Sequence, residues 1–238
     1  MVQKLLQVKT MWMQRFIKRH KDRLDRRLEP VYAFLDSKFA YTSNDKVLFL
    51  DCGANLGQGY AWFSEYFHHS NVSFELFEPN PNCLAHLQSL DCVINCKVKL
   101  NPFGIGTEDG FVKFFGLDST EGGALSQGGS IVKTHNSNHY SASDASSIDV
   151  KIVDFVKYLE IKSSQFNKII VKMDIEGAEV DLLEKMIADN SIRFINVLYV
   201  EFHSQYQKTE ESVITQAREQ RIIDAIRHKT QVKLRIWH

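Results

Sequence analysis

Short apolar runs that end in acidic or polar residues alternate with helix-like segments along most of the chain. Four segments have this form: residues 47–51, 72–78, 168–174 and 196–203. Continuous apolar runs of this length are typical of strands buried on both faces of a parallel sheet. The pattern predicts the α/β class, with a doubly wound, mostly parallel Rossmann-like sheet and helices on both faces.

The segments between these runs complete the predicted order of elements. Helices are expected over residues 60–68, 83–90, 179–188 and 211–228. Residues 92–100 are the candidate for a third strand, and residues 150–159 are predicted to run from a strand into a helix. Residues 232–237 are predicted to form the last strand.

The loop after the first strand carries the first candidate ligand site. Gly53 and Gly57 would let the backbone turn tightly and let a ligand approach the main chain. Glu78 lies 21 residues beyond Gly57, close to the roughly 20-residue offset at which a carboxylate meets a ribose in a βαβ nucleotide site. The second close glycine that a pyrophosphate requires is missing. A ribose ligand without pyrophosphate therefore fits better, which favours S-adenosylmethionine; an ordinary α/β turn is the alternative.

Four strand ends are predicted to deliver polar side chains to one rim of the sheet, where ligands of open α/β folds bind. Alternation puts Lys172 and Asp174 on one side of their strand, and Glu201 and His203 on one side of theirs. The predicted rim consists of Asp51, Glu78, Asp174, Glu201 and His203.

The charge distribution limits the classes of partner. The chain has 29 basic and 29 acidic residues, but residues 1–30 hold nine Lys and Arg against three Asp and Glu. The remainder is net acidic, which argues against a nucleic-acid partner. The four cysteines form no CxxC pair, and no apolar run could span a bilayer. A cytoplasmic protein with free thiols is expected.

Residues 2–28 have the pattern of an amphipathic basic helix, which leaves three interpretations open. The helix could pack on the domain or on a second copy in a homodimer. Its basic face and Trp12 would also suit peripheral contact with an anionic membrane. A transit peptide is disfavoured because the segment lacks serine and ends in acidic residues.

The domain boundary is predicted near residue 40. Pro30 is expected to end the first helix, and residues 31–40 to form a second short one. Residues 1–40 would then be an N-terminal helical extension and residues 41–238 a single domain.

Residues 118–147 are rich in Ser, Gly, Asn and Thr, and loops this long are usually functional or disordered. A mobile flap over the substrate is expected, with a floppy insertion as the alternative. His135 and His139 in this segment are expected to be surface residues rather than ligands.

Four stretches in this order, LDCGANLGQ, FELFEPNP, VKMDIEGAEVDLLEKM and YVEFH, resemble the FkbM-type methyltransferases. That family consists of S-adenosylmethionine-dependent O-methyltransferases of the seven-stranded Rossmann-like class. The KxDxEGAE stretch is the most specific element, whereas the first stretch is shared with all class I methyltransferases. The resemblance covers residues 46–204.

The resemblance implies a set of functional residues and a class of acceptor. Members commonly methylate hydroxyls of sugars or polyketides, often in polysaccharide or secondary-metabolite pathways, so a small-molecule or glycan acceptor is expected. Substrate-binding roles fall on Glu176, Glu201 and His203. The implied cofactor-binding residues are Asp51, Gly53, Ala54, Asn55, Gly57, Glu78, Pro79, Asn101 and Asp174.

Two departures from the family pattern are visible. Gly104 stands where an alanine is usual, which should be tolerable. One strand follows the last helix where the class has an antiparallel pair, so either the sheet has six strands or its C-terminal edge is completed otherwise.

The predicted chemistry needs alignment and a proton acceptor for the hydroxyl. His203 is the first candidate base, because imidazole accepts protons near neutral pH, and Asp174 is the second. No metal is expected, although Asp174, Glu201 and His203 could instead hold a divalent cation.

Three other functions compete with this prediction. An RNA 2′-O-methyltransferase would share the fold but would need a basic groove. A NAD-type oxidoreductase is disfavoured by the glycine pattern. A non-catalytic module that binds the cofactor is the third.

Overall fold

Helices and strands alternate through the described part of the chain, which comprises residues 26–117, 128–137, 140–141, 147–207 and 209–238 of the computed structural model. The strands are β1 (Val47–Cys52), β2 (Val72–Phe77), β3 (Val98–Asn101), β4 (Gly104–Gly106), β5 (Gly110–Phe114), β6 (Asn136–Ser137), β7 (Tyr140–Ser141), β8 (Ile148–Asp154), β9 (Lys168–Met173), β10 (Val197–Val200) and β11 (Lys233–Ile236). The helices are α1 (residues 26–39), α2 (Gln58–Ser64), α3 (Pro81–Gln88), α4 (Asp91–Ile94), α5 (Phe155–Ser163), α6 (Glu179–Ala188) and α7 (Thr209–Lys229). Two 3₁₀ turns, Ser191–Phe194 and Ser204–Tyr206, follow α6 and β10.

A parallel sheet of six strands forms the centre of the fold. Its order is β11-β10-β9-β1-β2-β3, and each neighbouring pair is parallel. The winding direction reverses beside β1, because β2 and β3 lie on one side of it and β9 to β11 on the other. Such a reversal opens a crevice at the carboxyl ends of the strands. The predicted doubly wound α/β fold is confirmed.

Alternate residues of β1 face two separate cores, as the period of two in a strand requires. Leu48 packs in a cluster with Leu183 of α6 and Ile226 of α7. Phe49 packs on the opposite face, with its ring 4.8 Å from that of Phe63 in α2. Helices therefore cover both faces, which explains why this strand is apolar at almost every position.

The predicted strand over residues 92–100 is wrong in its first half. Residues Asp91–Ile94 form α4, and β3 begins only at Val98. The amide of Ile94 donates to the carbonyl of Leu90 at 2.9 Å, and the Ile94 side chain is 61% exposed. The apolar character of Ile94 thus suggested a buried strand in the sequence, although this residue is exposed on a short helical turn.

The predicted break at Pro30 is also wrong, because α1 continues through this residue. Proline removes one backbone donor from a helix, but the turns that follow are anchored in the fold. Ala33 is fully buried and Asp36 is almost fully buried. Residues 1–25, most of the predicted amphipathic helix, lie outside the described residues, and the homodimer and membrane interpretations stay predictions.

A single strand closes the C-terminal side of the sheet. β11 lies parallel to β10, so among the described residues the main sheet has six strands. Asp36 of α1 ties this edge down, because its carboxylate accepts from Tyr199 Oη at 2.8 Å and from Arg235 Nε at 2.9 Å. The N-terminal helix therefore completes the edge.

A second sheet lies near the carboxyl end of β3. Its central strand, β8, pairs parallel with β4 and antiparallel with β5. The predicted flap over residues 118–147 is described only at 128–137, 140–141 and 147; the rest lies outside the described residues. None of the described helices has the length and apolar character needed to cross a bilayer.

Candidate active site

The carboxyl ends of β1, β2, β9 and β10 surround a cavity of about 530 Å³. Ligand pockets commonly fall in the range of about 300–1,000 Å³. One wall is apolar, with Ile105, Phe114 and Ile152 among its residues. The polar side chains in the wall include Asn55, Glu78, Asp174, Glu176, Glu201 and His203. The cavity thus combines an apolar wall with several carboxylates.

The loop after β1 is held against its neighbours by close backbone contacts. Gly53 has a φ of +82°, and a Cβ added there would lie 1.8 Å from the carbonyl oxygen of Asp174. The amides of Gly53 and Ala54 both donate to the carbonyl of Phe77, at 3.1 and 3.0 Å. Glycine is therefore required at position 53, because the first loop passes directly over the end of β9.

Glu78 follows β2 and is almost fully buried in the cavity wall. Its Oε2 accepts from the amide of Asn55 and its Oε1 from the amide of Asn80, both at 2.7 Å. Burial raises the pKa of Glu78 to about 7, against these two hydrogen bonds, which favour the ionised form. The carboxylate thus fixes the first loop and can still accept hydrogen bonds from the cavity.

Lys172 joins the ends of β1 and β9 in a buried ion triplet. Its Nζ lies 3.2 Å from Asp51 Oδ1 and 3.2 Å from Asp174 Oδ2, and it donates to the carbonyl of Gly53 at 2.9 Å. Burial opposes the charge of Lys172, but the two carboxylates outweigh it and raise its pKa above the ordinary value. The ammonium is therefore fully engaged inside the fold and stays charged.

The EGAE turn after β9 positions His203. Glu179 is fully buried, and its carboxylate accepts from the amides of Ile175 and Gly177 at 2.8 and 3.0 Å. The same carboxylate lies 3.1 Å from His203 Nδ1. An ionised carboxylate can only accept, so Nδ1 carries the hydrogen. The other ring nitrogen, Nε2, is left for the remaining acidic groups.

Three carboxylates lie around His203 Nε2. Glu176 Oε2 is 3.4 Å away, Asp174 Oδ1 3.6 Å and Glu201 Oε1 3.9 Å. Burial disfavours an imidazolium here, but Glu179, Glu176 and Asp174 outweigh it and raise the pKa of His203 well above its usual value. A protonated His203 cannot accept a proton. Burial, with the charge of Asp174, raises the pKa of Glu201 to about 7.

The structure gathers most of the predicted site residues at the cavity, but three of them do not line it. Asp51 is fully buried behind Gly59, whose added Cβ would lie 2.7 Å from Asp51 Oδ2. Gly57 starts α2 with a φ of +88° and faces leucines of the α3–α4 region. Asn101 turns its amide away and donates to Glu75 at 3.2 Å. These residues shape the loops around the cavity.

His135 is a residue that sequence reasoning assigned to the surface, and that expectation is wrong. Its side chain is 2% exposed, and its Nε2 lies 3.2 Å from Glu176 Oε2. Ser130, on the same segment, donates to the carbonyl of Glu176 at 2.5 Å. Nothing in the surrounding Ser- and Gly-rich sequence distinguishes this histidine from an exposed one. His139 lies outside the described residues, so its expected surface position stays a prediction.

Comparison with known proteins fixes the family. A family model described as the methyltransferase FkbM domain matches residues 51–228. The chain belongs to the FkbM methyltransferase family. The match includes Glu78, Asp174, Glu179 and His203, so most of the cavity wall lies within the FkbM domain. The resemblance predicted over residues 46–204 is confirmed, and it extends into α7.

Similarity to individual proteins is more distant. No curated protein matches the chain. Among solved structures, the chain is similar to the crystal structure of methyltransferase FkbM from Methylobacillus flagellatus KT, with 14% identity and a TM-score of 0.40. The matched region covers 76% of this chain and 38% of that one. The matched part of the chain thus spans well under half the length of that solved structure.

Proposed function

We propose that this FkbM methyltransferase transfers a methyl group from S-adenosylmethionine to a hydroxyl oxygen of a sugar, a glycan or a related natural product. The observation that carries the proposal is the buried carboxylate of Glu78, which follows β2 and faces the cavity of a methyltransferase domain. A carboxylate at this point of a βαβ unit is where a nucleoside ribose binds.

The residues present fit S-adenosylmethionine. Glu78 would accept hydrogen bonds from the ribose hydroxyls, and the neighbouring Pro79 and Ile105 would border the adenine. The methionine end would reach the first loop near Asn55 and Asp174. Its sulfonium supplies an electrophilic methyl group, and the acidic side of the cavity suits that positive charge.

The protein's part in the reaction is alignment and removal of one proton. An O–C bond forms as the C–S bond breaks, and the electron pair of that bond leaves with sulfur. We assign the hydroxyl proton to a carboxylate of the acidic wall, with Glu201 as the first candidate because it lies 28% exposed in the cavity. His203 is then a positioning group, since its surroundings favour the protonated ring, and the base role predicted for it stays a prediction.

The rival RNA 2′-O-methyltransferase function finds less support in this site. An RNA substrate needs cationic side chains to hold its phosphates. Lys172 lies in the cavity wall, but its Nζ is held by Asp51, Asp174 and the carbonyl of Gly53. The surrounding carboxylates would repel a phosphate. An uncharged polyol is the acceptor that this wall suits best.

Binding and turnover test the proposal separately. Isothermal titration with S-adenosylmethionine, its demethylated product S-adenosylhomocysteine, and NAD should give saturable binding of the first two only. Labelled methyl transfer into glycan fractions and small polyols of the host should then identify the acceptor. Absence of binding by both S-adenosyl compounds would contradict the proposal. Binding without transfer to any hydroxyl would favour the non-catalytic module.

A further inference from the structure

Asp174, Glu176 and His203 form a compact group of metal-type ligands in the cavity wall. One donor atom from each lies within 4.8 Å of the others, and this is the one such grouping of three found among the described residues. The three side chains come from the turn after β9 and the loop after β10, at the crevice of the sheet. We propose that these residues bind a divalent cation.

The setting of His203 is that of a metal-binding imidazole. Histidines that bind metals nearly always donate their other ring N–H to a carboxylate, a carbonyl or water, which fixes the tautomer and the ring orientation. Glu179 does this for His203 at 3.1 Å from Nδ1, and it is itself held by two backbone amides. Nε2 is thereby directed at Asp174 and Glu176 from a side chain that is 5% exposed.

The spacing around Nε2 fits a shared ion better than hydrogen bonds. Its distances to Glu176 Oε2 and Asp174 Oδ1 are 3.4 and 3.6 Å, whereas N–H···O bonds span about 2.7–3.2 Å. Two ligands at about 2.0–2.2 Å from a tetrahedral ion lie about 3.3–3.6 Å apart. Both carboxylate oxygens therefore lie from Nε2 at the separation that a bound ion would impose.

Glu176 is also held in place. Its backbone has a φ of +53°, which is uncommon for a residue other than glycine. Ser130 donates to its carbonyl, and His135 Nε2 lies 3.2 Å from its Oε2. A ligating carboxylate is usually supported by such outer contacts. The turn is thus fixed with the carboxylate facing His203.

The cluster carries an excess of carboxylates that a cation would offset. Four carboxylates, from Asp174, Glu176, Glu179 and Glu201, lie within 3.9 Å of a ring nitrogen of His203. The charge of Lys172 is shared between Asp51 and Asp174. A divalent ion at Nε2 would offset the excess negative charge where a single proton offsets only part of it.

The donor set indicates the class of metal. One imidazole and two carboxylates suit Mn²⁺, Fe²⁺ or Zn²⁺ better than the all-oxygen sites of Ca²⁺. Three protein ligands leave a position open to the cavity. In a role that rests on the proposed function, that position would hold the acceptor hydroxyl. Glu201, which the sequence prediction included among the ligands, lies outside the set.

Mn²⁺ is the probe for the titration, because it binds cysteine thiolates weakly. Titration of the full chain, freed of metal by a chelator, should show one saturable site in the millimolar range or tighter. Glu176→Gln, which keeps the shape and removes a ligand charge, should weaken Mn²⁺ binding by about 10–100-fold. Glu201→Gln is the matched control, because it removes an equal charge from the same wall, and should weaken it by less than about tenfold.

The outcomes separate this inference from the proposed function. Failure of the wild-type chain to bind Mn²⁺ or Zn²⁺ would overturn the cation site, and so would equal losses in the two variants, because diffuse charge would then hold the ion. Thermal melting of both variants checks that the fold is retained. S-adenosylmethionine is titrated in parallel without metal. Its binding tests the proposed function independently of Mn²⁺ binding.

Discussion

At the scale of single residues, two buried acids, Glu75 in β2 and Glu78 just after it, have opposite environments. Glu75 is held by Lys99, Lys162, Tyr158 and Asn101. Burial disfavours its ionised form, but these hydrogen bonds prevail, so its pKa lies below the ordinary value. Glu78 accepts its hydrogen bonds from the backbone amides of Asn55 and Asn80, and burial raises its pKa. The sequence shows two similar acids, and only their partners separate a structural acid from a ligand-binding one.

Glu78→Gln should therefore weaken S-adenosylmethionine binding by about 1–3 kcal/mol, because a polar partner of the ribose is left unmatched. Glu75→Gln is the control: it changes a similarly buried acid three residues earlier, in β2, that does not line the cavity. It should lower the melting temperature and leave the dissociation constant close to that of the wild type. Isothermal titration measures both variants. Unchanged affinity in Glu78→Gln would show that the ribose contact is misassigned.

Binding of S-adenosylmethionine should depend on pH through the same carboxylate. Burial raises the pKa of Glu78 from 4.5 to about 7, so the proton stabilises the free protein at low pH and this contribution is lost as pH rises through about 7. Ribose hydroxyls donate to the ionised carboxylate, so the affinity for S-adenosylmethionine should increase as the pH rises. It should fall about tenfold from about pH 8 to about pH 6.

The charged groups that face Glu78 are Lys172 and Asp51, and Lys172 stays charged throughout this range. Glu201, with a pKa of about 7, could impose a similar dependence from the other end of the cavity. Comparison of the wild type with Glu78→Gln isolates the contribution of Glu78. A pH profile that is the same in both proteins would assign the dependence to another group.

At the scale of elements, the crossing of the first loop over β9 is the tightest backbone contact described at the site. Gly53→Ala would place a Cβ 1.8 Å from the Asp174 carbonyl at a φ of +82°, and should destabilise the protein by about 1–3 kcal/mol or more. Gly110→Ala is the control, since no heavy atom lies within 4 Å of its added Cβ. Chemical denaturation compares them, and equal stabilities would contradict the described loop.

The contact of α1 with β11 gives a second prediction at this scale. Asp36→Ala leaves Arg235 and Tyr199 without their shared carboxylate, and loss of one partner of a buried ion pair costs about 3–5 kcal/mol. Lys38→Ala, an exposed neighbour in the same helix, should change stability by less than about 0.5 kcal/mol. Urea denaturation measures both changes. A small loss in Asp36→Ala would mean that α1 does not complete the sheet edge.

Sequence patterns predicted elements well where burial on both faces left only apolar residues. β1, β2 and β9 match their predicted runs closely, because their alternate side chains fill two cores. The pattern failed at residues 92–94 and at Pro30, where exposure and tertiary anchoring outweigh local preference. It also failed for His135, since no periodicity marks a residue that a loop folds into the site.

At the scale of the whole molecule, one crevice receives residues from four strand ends and from the segment 128–137. The strand ends were predictable, because carboxyl ends of parallel strands share an edge. The contacts of Glu179 with His203 and of His135 with Glu176 were not, since they depend on turn geometry and on a long connection. The proposed function therefore depends on the division of the cavity between a ribose end at Glu78 and a transfer end at His203.

A crystal structure of the complex with S-adenosylhomocysteine tests that division most directly. The account predicts that the ribose hydroxyls lie within hydrogen-bond distance of the Glu78 carboxylate and that the sulfur faces the side of the cavity formed by Asp174, Glu201 and His203. An adenosine bound away from Glu78, or a sulfur directed away from these three residues, would contradict the account.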